Sequence, residues 1–143
     1  MKKIFLLIVL FCLTGCMTTI DTFYSPKAGQ FALKSVYLVN KGEGSKEMDE
    51  RIKKELEKRN IKVVIGPETK KVTTEDSILK YTETWKTEIT TYMQALDLVL
   101  FDANGEVIAT SNWQNSKFST LATVNSIVDD SIDVIFEMVR IKP

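Results

Sequence analysis

The sequence predicts an α+β domain, with a single mixed or antiparallel sheet of about five strands in the order β-α-β-β-β-β-α and both helices on one face. Three observations carry this. A charged stretch from Lys46 to Arg59 repeats an apolar residue every fourth position, which is a helix period. From Leu79 to Trp113 the apolar residues alternate, and Asp102-Ala-Asn-Gly105 interrupts them as a tight turn. Beyond that, Leu121 to Arg140 shows a second, broader helical stripe.

The elements follow in order. Ala32 to Asn40 reads as the first strand on the apolar run Leu33, Val36, Tyr37, Leu38 and Val39, and Lys41-Gly-Glu-Gly-Ser45 breaks it. Gly42-x-Gly44 sits where a phosphate cradle would. It lacks the third glycine of a dinucleotide fingerprint and the Gly-Lys-Ser/Thr of a P-loop, so it is a plain connection with Ser45 as helix N-cap. In the helix, Met48, Ile52 and Leu56 form the stripe. Glu47–Arg51, Glu50–Lys54 and Glu55–Arg59 stand at i,i+4 with the acid first, as befits a solvated face. Asn60 suits a left-handed cap. Ile61 to Ile65 is a short strand that Gly66-Pro67 stops, and Lys70 to Glu75 is a polar connection.

In the next strand Leu79, Tyr81, Trp85 and Ile89 share one face, with Lys80, Thr82, Thr84, Lys86 and Glu88 on the other. Tyr92 to Phe101 places Leu96, Leu98 and Leu100 on one face. Met93, Ala95, Val99 and Phe101 take the other, where Asp97 interrupts them. Glu106 to Trp113 returns as the hairpin partner, Gly105 supplying the positive φ. Ser119 or Thr120 caps the last helix, whose stripe of Leu121, Val124, Val128, Ile135 and Met138 is widened by Ile127, Ile132, Val134 and Val139.

The first thirty residues read differently. Met1-Lys-Lys3 and the apolar run Ile4 to Leu13 have the layout of a secretory signal, too short to span a bilayer permanently. Leu13-Thr-Gly-Cys16 resembles the lipobox of bacterial lipoprotein precursors. That resemblance implies cleavage before Cys16 and acylation of its thiol and new N-terminus. The expected organisation is therefore a signal peptide at 1–15, a lipidated N-terminus and tether at 16–30, and an α+β domain at 31–143. Several acyl chains on Cys16 would hold the protein at a membrane stably, since one chain alone binds only reversibly. Met17 in place of Asp resembles the sorting signal for the outer membrane, and implies its periplasmic face. In the tether, Phe23 and Tyr24 either dock back on the domain, the plainer reading, or meet the membrane interface.

Composition limits the chemistry. Apolar residues make up 44% and charged ones 27%, values of a packed domain. Loss of Lys2 and Lys3 turns 19 basic against 19 acidic side chains into 17 against 19, which gives no reason to expect nucleic acid or a polybasic membrane patch. Cys12 leaves with the signal and Cys16 is the acylation site, so no disulfide staples the domain. The absence of histidine removes Ser-His-Asp and Cys-His nucleophiles and the commonest zinc sets. No cofactor or metal is expected.

Among candidate sites, Glu83 and Asp97 each interrupt an apolar strand face and are the candidate pair for carboxylate catalysis, although an edge position or a partner such as Lys80 or Lys86 across the sheet is the plainer reading. Asp129, Asp130 and Asp133 can contact a hard cation, although a solvated helix face is the plainer reading. Tyr81, Trp85, Tyr92 and Trp113 form an aromatic constellation. Aromatics on strands are more often core, but Trp113, beside the polar Asn112 to Asn115, is expected to stand partly exposed as a partner contact.

Tyr81-Thr82-x-x-Trp85-x-x-Glu88-x-x-x-Tyr92-Met93 resembles a group of small Gram-negative outer-membrane lipoproteins with a Tyr-Thr-x-x-Trp strand signature. More loosely, the layout resembles the α+β domains of curli-secretion and penicillin-binding-protein-activator lipoproteins. The resemblance implies envelope assembly and protein binding, and no reaction. The expectation is a non-enzymatic, outer-membrane-anchored module with an envelope protein as partner. The alternatives are a binder of lipid or glycan and, less in keeping with the composition, a carboxylate hydrolase.

Overall fold

The computed structural model describes residues 18–42, 45–68, 77–115 and 122–141. The signal, Cys16, Glu43, Gly44, Ser119, Thr120 and Leu121 lie outside them. The strands are β1 (Thr19–Tyr24), β2 (Ala32–Leu33), β3 (Ser35–Asn40), β4 (Lys62–Pro67), β5 (Ser77–Thr87), β6 (Thr91–Phe101), β7 (Val107–Gln114) and β8 (Arg140–Ile141). Helix α1 spans Lys46–Lys58 and α2 spans Val124–Met138, and a 3-10 turn covers Ala28–Gln30.

Six strands form one mixed sheet in the order β1-β7-β6-β5-β3-β4, while β2 and β8 pair separately. β3 lies parallel to both β4 and β5, and β5, β6, β7 and β1 follow as antiparallel neighbours. Both helices cover one face. That face carries Val36, Leu38, Leu79, Tyr81, Leu96, Leu98, Leu100, Ala109 and Trp113, which pack against Met48, Ile52 and Leu56 of α1 and Ile127, Val128, Ile132 and Ile135 of α2. The α+β class, the single sheet and the two helices on one side are as the sequence predicts.

Several elements differ in detail, each for a local reason. The segment expected as a tether supplies β1, which pairs with the whole length of β7 from Thr19↔Gln114 to Tyr24↔Ala109. The alternation is hard to read because polar Thr22 stands on the inward face while apolar Phe23 stands on the outward one. Of the two aromatics expected to dock, Tyr24 does, donating its hydroxyl to the Val134 carbonyl of α2, while Phe23 points to the uncovered face and is 55% exposed. β4 runs through Gly66 and Pro67 instead of stopping before them. It is an edge strand, where proline loses no ladder bond, and Gly66 makes room for the Tyr37 ring. Helix α2 starts at Val124, capped by Thr123, whose hydroxyl accepts from the Ser126 amide at 3.2 Å.

The β5–β6 pair shifts register between Thr84 and Trp85, so that Thr84 faces Ala95 but Trp85 faces Met93. This bulge inserts Gln94 as an extra residue and reverses the alternation beyond it. Met93, expected on the uncovered face, is thereby turned into the core at 3% exposure. β5 ends at Thr87, and Ile89, expected on the core face, sits fully exposed in the turn.

The hairpin at Asp102 matches its prediction. The Asp102 carboxylate accepts from the amides of Asn104 and Glu106 at 2.9 and 2.8 Å, and Gly105 has φ 83°. Asn60 likewise takes φ 61° after α1. Ser45 stands at the N-cap position, yet its hydroxyl donates to the Gly42 carbonyl and the Asp49 carboxylate and accepts no helix amide.

Candidate binding surface

The four aromatics singled out by the sequence divide into two pairs. Trp113 and Tyr81 are each 1% exposed and belong to the core. The expectation that Trp113 stands partly exposed is corrected: β1 pairs along the whole of β7 and extends the sheet beyond it, so the polar residues beside Trp113 do not mark an open edge. Trp113 lies between Ile20 and Leu96 on the helix-covered face. Trp85, by contrast, is 45% exposed, and Tyr92 is half-buried on the adjoining strand.

Trp85 and Tyr92 stand at one end of the sheet, on the β5–β6 hairpin. Thr87 and Thr91 close it through their hydroxyls at 3.0 Å, and the Glu88 amide donates to the Thr90 carbonyl at 3.2 Å. Lys86 pairs with Glu88 at 2.6 Å, which holds the Glu88 carboxyl below its usual range and raises the Lys86 ammonium. The Trp85 indole separates two shallow clefts. One, of about 200 Å³, is bounded by Glu47, Met48 and Arg51 of α1 with Glu83 and Val124. The other, of about 240 Å³, is bounded by Tyr92, Met93, Asn115, Val124 and Ile127. Asn115 fixes its rim by donating its amide N–H to the Gln94 carbonyl at 2.9 Å and its side chain to the Met93 carbonyl at 3.3 Å.

The other ionisable candidates are drawn into structural contacts. Glu83 faces Leu96 across the ladder and looks toward the helices, whereas Asp97 faces Thr82 and looks to the uncovered side. The two carboxylates lie on opposite faces of the sheet and cannot act on one substrate. Asn112 donates to Asp97. On α2, Asp129 and Asp133 both receive the Arg59 guanidinium, Asp129 at 2.7 Å, so a cation from the residue that ends α1 already occupies the position a metal would need. The Arg59 hydrogen bond holds Asp129 below its usual range, while burial and the two neighbouring carboxylates push Asp130 up.

Sequence reasoning missed Asp49 and Glu55, which are 2% and 7% exposed. The Tyr81 hydroxyl donates to Asp49 Oδ1 at 2.7 Å and Ser45 Oγ donates to Oδ2 at 3.2 Å, tying the start of α1 to β5. Burial pushes the Tyr81 phenol well above its ordinary value of 10.0. The signal was present: Asp49 and Glu55 each stand three residues from Ile52, on the stripe that Met48 and Leu56 define.

Two features define the class of protein. It is a mixed-sheet α+β domain with one face covered by helices, and both sheet edges, β1 and β4, are left open among the described residues. No family model matches the chain, and no curated protein matches it in sequence. Among solved structures it is similar in fold to PelC from Paraburkholderia phytofirmans, a dodecamer. A point variant of PelC superposes with a TM-score of 0.54 at 14% identity, covering 89% of this chain and 100% of that one. A second PelC crystal form gives 0.53 and 14% over the same shares.

Proposed function

We propose that the chain is a lipoprotein anchored in the outer membrane through acyl groups on Cys16, facing the periplasm, and that its domain is a non-enzymatic module that binds a protein in envelope assembly. The observation that carries the binding role is the pair of open sheet edges. β1 and β4 end the six-stranded order, and each presents a large apolar side chain on the face away from the helices, Phe23 at 55% and Val64 at 40% exposure. An open edge offers a row of backbone donors and acceptors to a strand from another chain, with alternate side chains setting specificity. The PelC structures of similar fold are themselves assemblies. Against catalysis stands the separation of Glu83 from Asp97 by the sheet.

Photo-crosslinking in the native host tests this, with the probe at Asp21 or Phe23 on β1 and at Lys62 or Val64 on β4. A discrete crosslinked protein, whether another species or a second copy, supports the module and names its partner. Absence of crosslinks at both edges refutes it.

A second reading, a small-ligand site for lipid or glycan, draws on the cleft of Tyr92, Met93, Val124 and Ile127 beside Trp85. Purified protein that carries no lipid or glycan by mass spectrometry counts against it.

A further inference from the structure

The β5–β6 hairpin and the start of β1 lie at the same end of the sheet. Thr19 pairs with Gln114, and Gln114 pairs with Ala95. From that level β6 continues backwards through Gln94, Met93 and Tyr92 to Thr91, and one of these residues is the bulge. The hairpin therefore projects about 10 Å beyond Thr19, at roughly 3.4 Å per residue. Between Cys16 and Thr19 there are three residue steps, which reach at most about 10 Å even when fully extended. Three extended residues therefore suffice to bring the anchor point to the level of the hairpin tip.

The chemistry at that tip suits one kind of surface. Ile89 is fully exposed at the turn, Trp85 is 45% exposed, and Tyr92 stands beside Lys86. Tryptophan and tyrosine favour the membrane–water boundary, where an apolar ring and a polar handle are both satisfied. Lys86 is paired with Glu88, so the tip has no excess of positive charge to attract anionic headgroups. The same pair, just ahead of Ile89 in the chain, limits insertion to the headgroup and upper acyl region. We propose that this end of the domain, through Trp85, Ile89 and Tyr92, docks on the bilayer surface in which Cys16 is anchored. The proposal rests on the acylated-anchor reading of the preceding section. It fixes the domain's orientation, with the length of β1 rising from the membrane and the open edges standing upright.

The test uses the full chain purified with its acyl groups and reconstituted into phosphatidylcholine vesicles brominated either near the headgroups or near the chain ends. The expected result is quenching of tryptophan emission, stronger with bromine near the headgroup. Quenching is lost in Trp85→Phe, because the remaining Trp113 is buried, reduced in Ile89→Ser, and unaffected by high salt. Acylated protein whose emission ignores brominated lipid, or whose quenching survives Trp85→Phe undiminished, overturns the docking alone. Radiolabelled palmitate that fails to enter the wild-type chain overturns the anchor and this inference with it. Uptake abolished by Cys16→Ala supports the anchor.

Discussion

Replacing Tyr81 by Phe removes one oxygen and leaves the shape of the core unchanged, so it deletes the bond to Asp49 together with a longer contact to the Ser45 carbonyl at 3.4 Å. That bond is 2.7 Å long, and the carboxylate it serves is 2% exposed, with its other oxygen held by Ser45 at 3.2 Å. Hydrogen bonds to charged groups contribute about 1.5–3 kcal/mol, and a buried acceptor left without its donor forfeits its desolvation cost. A loss of about 2 kcal/mol is expected. With a urea slope of about 2 kcal/mol/M for a domain of this size, the unfolding midpoint falls by about 1 M. Asp49→Asn keeps an acceptor oxygen toward the phenol and loses less. A double-mutant cycle of Tyr81→Phe with Asp49→Ala returns a coupling of about 1 kcal/mol or more if the contact is direct. A midpoint for Tyr81→Phe within about 0.2 M of wild type, or a coupling near zero, refutes the view that this bond fastens α1 to β5.

Other perturbations separate the roles of neighbouring groups. Trp113→Ala empties a core position and costs about 3–5 kcal/mol, whereas Trp85→Ala, half out in solvent, costs about 1 kcal/mol, both read by urea unfolding. A Cβ at Gly66 would collide with the Tyr37 hydroxyl, which donates to the Pro67 carbonyl at 2.9 Å. Gly66→Ala therefore destabilises by about 1–3 kcal/mol, and adding Tyr37→Phe restores part of it. Arg59→Ala breaks the clasp between the helices for about 1 kcal/mol, an effect that shrinks in high salt. Burial raises the phenols of Tyr24, Tyr37 and Tyr81 above their ordinary value of 10.0. Above that pH the unfolded chain loses phenolic protons that the folded chain keeps, so stability is full below it and falls as pH rises. Circular dichroism followed alongside tyrosine absorbance is expected to show unfolding and ionisation together.

The fold was legible where periodicity and turn chemistry agree. The α1 stripe, the Asp102–Gly105 turn and the broad face of α2 each have one dominant period, and each is found in place. β1 was not legible, because Thr19, Asp21 and Thr22 are small or polar and the strand's stability comes from pairing with β7, a contact far away in sequence. The bulge at Trp85 was hidden for a related reason: nothing local in Thr84-Trp85 or Gln94 marks an extra residue, and it is the fit of two long strands that places it. The aromatic site was therefore half read. Trp85 and Tyr92 reach the surface, and Tyr81 and Trp113 are claimed by a core that the missing strand completes. Asp49 is readable from its place on the wheel, beside Ile52 on the buried stripe, although its charge resembles that of its solvated neighbours.

The pairing of β1 has a mechanical consequence. Any tension on the chain ahead of Thr19 runs along the strand's own axis, while β7 opposes it in the antiparallel sense. All the rungs from Thr19 to Tyr24 then bear load together in shear instead of opening one at a time like a zip. At the far end the Tyr24 hydroxyl, bound to the Val134 carbonyl, passes part of that load into α2. A domain pulled by its N-terminus along this axis yields at high force and over a short extension.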